Sequence, residues 1–152
     1  MTLQMPIPGY GSSAAFMLEY GSTATGGTVT TTLDPTLTIA PATALKAAER
    51  VAERWHLHRQ DLPALLGSKP RTVRSWFENT PAGLDQDVLE RIGHLVGIYD
   101  ALHTIFGDSD YADRWVHEPN LAFGQRRPAE LMLTGSFTAL VDVHRYLQQA
   151  FA

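Results

Sequence analysis

The stretch Trp115–Gly135, WVHEPNLAFGQRRPAELMLTG, decides how the rest of the chain is read. An aromatic, Trp115, precedes a turn at Glu118, Pro119 and Asn120. A second aromatic, Phe123, follows, and then the break Gly124-Gln125-Arg126-Arg127. A short helix opens on Pro128, because a first helical position has no use for the N–H that proline lacks. Leu131–Leu133 are apolar, and Gly135 is placed to end the helix in the left-handed conformation.

Toward the C-terminus, Ser136 caps a last amphipathic helix whose predicted stripe is Phe137, Leu140, Val141, His144, Leu147 and Phe151. Phe151 lies next to the end of the sequence and reads either as the edge of the core or as an aromatic offered to a partner. Toward the N-terminus, the longest periodic run is Asp85–Phe106. In it Val88, Leu89, Ile92, Leu95, Val96, Tyr99, Leu102 and Phe106 keep helical spacing, which suits the central helix of a bundle. Gly93 and Gly97, four apart, permit close helix approach. Gly107 ends this run, and Asp108-Ser109-Asp110 starts a short helix closing at Trp115. Asp108, Asp110 and Asp113 resemble the opening of a calcium loop, but its glycine and terminal glutamate are missing, so they read as capping residues.

A first helix is predicted over Pro41–Leu57, with Leu45, Ala48, Val51, Ala52 and Trp55 on one stripe. Asp61 then caps a short helix carrying Pro63 in its second position, with Leu62, Leu65 and Leu66 on its apolar side. Gly67-Ser68-Lys69-Pro70 is a turn. Arg71–Asn79 reads as a second short helix. Two short helices about a glycine turn make the helix-turn-helix pattern, whose second helix enters the DNA major groove by its N-terminal residues. Here those are Lys69, Arg71, Thr72, Arg74 and Ser75, all able to reach phosphates or base edges. A plain helical hairpin with a solvated basic face is the alternative.

Residues 1–40 differ from the remainder: Gly, Ser and Thr cluster, and the first basic residue in the chain is Lys46. Such a segment buries too little apolar surface to offset its backbone entropy, so a flexible tail is expected. A basic DNA-clamping arm is excluded by the missing charge. The whole chain of 152 residues carries a formal net charge of −4, which argues against indiscriminate nucleic-acid binding. Any DNA contact must come from a local patch. No cysteine is present, which removes disulfides and thiolate metal sites. No apolar run is long enough to span a membrane, and no secretory signal is recognised, so a cytoplasmic location is the expectation.

Little catalytic chemistry is on offer. His56 and His58 are the closest histidine pair, but no HExxH motif or Asp/His cluster accompanies them, so no metal is expected. Neither GxSxG, GxGxxG nor a P-loop occurs. The chain reads as a non-enzyme without cofactors.

Trp115, Pro119-Asn120, Phe123, Arg127-Pro128, Leu131 and Gly135, with the final helix, resemble the toxin-binding domain of the Xre/MbcA/ParS antitoxins. Leu65-Leu66-Gly67 and Arg71–Trp76 are similar to the Xre-like helix-turn-helix that precedes it in that family. The resemblance covers about residues 42–152. It implies an all-α helical bundle: a helix-turn-helix domain with a long central helix over 41–106, then a small toxin-binding domain over 107–152. It further implies neutralisation of a cognate toxin, often a RES-domain enzyme that consumes NAD, by obstruction of its active site. A homodimer, and autorepression through operator DNA bound by the toxin–antitoxin complex, belong to the same expectation. The toxin-binding residues it suggests are Asn120, Phe123, Gln125, Arg126, Arg127, Arg145, Gln148, Gln149 and Phe151. The net negative charge would suit a partner built to hold an anionic dinucleotide. The rival readings are a stand-alone helix-turn-helix regulator without a toxin and a purely structural adaptor.

Overall fold

The computed structural model describes residues 39–150; the N-terminal segment expected to be flexible, apart from Ile39 and Ala40, and residues Phe151 and Ala152 lie outside them. Among the described residues there are seven α-helices and no strand: α1 Pro41–Arg54, α2 Leu62–Leu66, α3 Pro70–Glu78, α4 Gln86–Phe106, α5 Asp110–Arg114, α6 Pro128–Met132 and α7 Phe137–Ala150. Short 3-10 turns at Arg59–Asp61, Trp115–His117 and Leu121–Phe123 fill the connections. The chain is all-α.

The core forms around α4, which packs against α1 on one side and α7 on another. Trp55, Leu62, Leu65, Leu66, Leu95, Ile98, Leu102, Met132, Leu140 and Leu147 are its largest fully buried side chains. The expected stripe of α1 is buried throughout, joined by Ala44 and Ala47. Small residues on that face let α1 lie close along α4.

Three local readings change. First, α1 stops at Arg54 rather than Leu57. His56 takes a left-handed φ of 59°. The His56 amide then donates to the Glu53 carbonyl and the Leu57 amide to the Ala52 carbonyl. This pair of bonds is the glycine-type helix stop, made here by a histidine. Second, Asp61 lies before α2 but its carboxylate accepts from the His58 amide at 2.9 Å, closing the preceding 3-10 turn instead of α2. Third, the buried line of α7 adds Val143 to the expected Leu140 and Leu147, while Phe137, Val141 and His144 of the expected stripe are only half-buried. Ser136 does cap α7, accepting from the Ala139 amide at 3.2 Å. At the end of α6 the left-handed φ of 89° belongs to Gly135, two residues beyond the capping Leu133.

The aspartates around α5 do not cap it. His103, buried on α4, sits between Asp108 (Nδ1 to Oδ1, 3.2 Å) and Asp113 (Nε2 to Oδ1, 2.8 Å). The other oxygen of Asp113 takes the Arg54 guanidinium at 3.1 Å. Tyr99 stacks on the His103 ring at 4.2 Å between centroids. These contacts tie α1, α4 and α5 together. No helix among the described residues is long and apolar enough to cross a membrane.

Candidate functional site

The first surface is built on α2 and α3. Gly67 closes α2 with φ 66°, its amide donating to Ala64 and that of Ser68 to Pro63, so the chain reverses within three residues. Pro70 then opens α3 with Lys69 as the residue before it. The side that faces the core is anchored by buried Val73, with Trp76 and Phe77 half-buried against it. Lys69, Arg71, Thr72, Arg74 and Ser75 are all exposed. None of the three cations has a carboxylate partner among the described residues. The Ser75 hydroxyl is turned back onto the Thr72 carbonyl at 2.9 Å, so its donor is engaged. Arg59 lies over the Phe77 ring at 4.8 Å and pairs with Glu49, fixing the rear of α3 to α1.

The second surface grows from the turn between Trp115 and α6. Asn120 organises it: its Oδ1 accepts from the Ala122 amide at 2.8 Å, its own amide donates to Arg126, and its carbonyl accepts from Gln125. Gly124 and Gln125 both take left-handed φ, 69° and 67°, which folds the turn back on itself. Phe123 meets Tyr146 of α7 edge-on at 5.2 Å, and Tyr146 stacks on buried Trp115 at 6.2 Å. This aromatic ladder fixes the turn to the core. At its tip Leu121 is 77% exposed.

The other sequence-derived candidates lie on the same turn and on α7. Gln125, Arg126 and Arg127 are exposed on the turn, and Arg127 also stands before α6, 3.7 Å from Glu130. Arg145, Gln148 and Gln149 are exposed on α7, Arg145 lying 3.8 Å from Asp142. Asn120 works mainly inside the turn. Phe151 is outside the described residues. Although the chain's formal net charge is negative, the turn itself presents two guanidinium groups, Arg126 and Arg127. Sequence reasoning passed over Leu121 and Tyr146. An aromatic four residues before the end of α7 was the available signal for Tyr146; exposure of one leucine in an apolar-looking run leaves no periodic trace.

A third cluster lies in the seam between α4 and α7. His94 and His144 approach Nδ1 to Nδ1 at 2.9 Å, and Phe137 meets the His94 ring edge-on at 5.6 Å. Burial holds both rings below the usual histidine range, His144 to about 4, where His94 adds to the effect; Glu90 partly offsets it for His94. With both rings neutral, one Nδ1–H donates to the other's lone pair. No group of three or more possible metal ligands occurs among the described residues.

Comparison with known proteins covers the two halves of the chain that carry these surfaces. Residues 34–97 match the antitoxin Xre-like helix-turn-helix domain, and residues 101–151 match the antitoxin Xre/MbcA/ParS C-terminal toxin-binding domain. A relative from Sinorhizobium fredii, the uncharacterized protein y4oB, is 33% identical over 103 residues, 68% of this chain and 80% of the relative. With these two matches and a relative 33% identical over 80% of its length, the chain belongs to the Xre/MbcA/ParS antitoxin family.

Proposed function

We propose that this antitoxin neutralises a RES-domain, NAD-consuming toxin by seating the Asn120–Arg127 turn and the end of α7 over the toxin's active site. The observation that supports this reading is Leu121, 77% exposed at the tip of a turn that its neighbours hold rigid. A large apolar side chain on a preorganised support loses little entropy on binding, which is how interface anchors act. Gln125, Arg126, Arg127, Arg145, Gln148 and Gln149 supply a polar rim, and Asn120 and Phe123 position the tip. Blocking a cleft requires a complementary surface and no catalytic group, in keeping with the absence of enzyme motifs.

The test is co-expression with the product of the adjacent gene, with capture through a tag on either protein. Growth rescue with a co-purifying complex is the expected outcome. Leu121→Asp should weaken the complex by at least about tenfold, since it places a charge where an apolar pocket waits. It should leave the melting temperature unchanged. Toxicity without any complex would sink the reading.

The helix-turn-helix supports a second role in the same protein: repression of its own operon by a homodimer, alone or with toxin bound. The carboxylate-free cations Lys69, Arg71 and Arg74 favour it, and a two-fold dimer would multiply two modest half-site affinities. Duplex DNA from upstream of the gene should bind with an affinity that falls as salt rises. DNA binding with no toxin partner at all would leave the stand-alone regulator as the better account.

A further inference from the structure

Arg91 belongs to neither surface, yet it touches the pivot of the helix-turn-helix and the turn that leads into α7. Its side chain is buried on α4, with Nε donating to Asp87 at 3.0 Å and Nη1 donating to the Gly135 carbonyl at 3.0 Å. Gly135 forms the turn between α6 and α7 in the toxin-binding domain. On its other side the guanidinium lies against Gly67, the pivot of the helix-turn-helix. A methyl group on Gly67 would come within 2.5 Å of Arg91 Cζ and 2.6 Å of Nε. The Phe137 ring closes the site from α7, 5.6 Å from Cζ.

We propose that Arg91 is a positioning residue that couples the toxin-binding domain to the helix-turn-helix turn. The planar fork reads both ends at once: Nε is fixed by the Asp87 carboxylate, Nη1 on a different edge by the Gly135 oxygen, and the body fills the space above Gly67. A displacement of the Gly135 carbonyl pulls on Nη1, and the guanidinium cannot move without altering the packing over Gly67. That turn sets the angle at which α3 presents Lys69, Arg71 and Arg74. Lysine could keep the charge but not the two fixed directions. What this coupling serves, a DNA surface that responds to toxin, rests on the antitoxin reading above. The geometry is tested without toxin or DNA, so the two can fail separately.

Amide hydrogen exchange on the full chain, read at Ser68, reports the pivot, because the Ser68 amide donates to Pro63 at 3.0 Å only while the turn is closed. Gly135→Ala strains a backbone at φ 89° and so displaces the carbonyl that Arg91 holds. With Arg91 present, this change should speed Ser68 exchange by about fivefold, the size expected of coupled neighbours. In an Arg91→Met background it should have no further effect. Equal acceleration in both backgrounds would assign the effect to the direct approach of Gly135 to the Ala64 carbonyl, 3.8 Å from a methyl placed there, and overturn the proposal. No acceleration in either would overturn it as well. Should Gly135→Ala fail to fold, Arg91→Lys decides: exchange must rise at Ser68 and Gly135 together while Val51 in α1 is unchanged. A rise at one turn alone would refute the coupling.

Discussion

Gly93 and Gly97 stand one turn apart on α4 and answer differently to an added methyl group. Nothing lies within 4 Å of a Cβ on Gly93, whereas one on Gly97 would come within 2.5 Å of the His144 ring. Gly93→Ala should therefore stabilise the protein by about 0.5–1 kcal/mol, the ordinary helix-interior difference. Gly97→Ala should cost about 1–3 kcal/mol by overpacking the seam. Urea unfolding of the two variants checks both signs. The same seam sets a pH dependence. Because burial lowers the folded pKa values of both histidines, the unfolded chain takes up protons first as pH falls, and stability drops with it. For His144 the loss begins near the ordinary value of 6.5 and is complete at about 4. His144→Gln should flatten the fall in melting temperature across that interval. The spacing of the two glycines was legible in the sequence. What occupied the groove was not, since periodicity fixes the face of a helix but not the side chain it meets.

At the scale of elements, helix ends hold the less visible information. The end of α1 is legible only once His56 is seen to occupy the position that glycine usually takes. His56→Gly should raise stability by about 0.5–1 kcal/mol, as relief of the left-handed strain exceeds the entropy that glycine adds to the unfolded chain. Thermal melts measure it. Ser136, by contrast, was read correctly from its place before an apolar stripe. Replacing it with alanine should cost about 1 kcal/mol. On α3 the basic residues could be numbered from sequence, but their lack of acidic neighbours required the fold. Arg71→Ala and Arg74→Ala should each lower the slope of log affinity against log salt by about 1 in duplex titrations, with no change in melting temperature. An unchanged slope would mark these arginines as ordinary solvated surface.

Across the whole molecule, α4 is the common support. It spans 86–106, while the two family matches end at 97 and resume at 101, so the boundary between them falls inside one unbroken helix. The sequence assigned the length of this helix correctly from its apolar period and Gly107. It could not show that α1 and α7 share it, because contacts between residues far apart in sequence leave no local mark. One core implies one transition. Urea unfolding followed by Trp76 fluorescence and by Trp115 fluorescence, each as the sole tryptophan, should give coincident curves. Separate midpoints would mean that the two halves melt independently.

The unbroken α4 also bears on descent. Modules joined by a loop can be exchanged whole between genes, but a recombination point inside α4 would unite half-helices selected for different neighbours, and the grooves for α1 and α7 would no longer match. With the toxin seated on the Leu121 turn as proposed above, lineages of this protein are expected to change partner by point substitution on that turn, with α4 and its neighbours inherited intact.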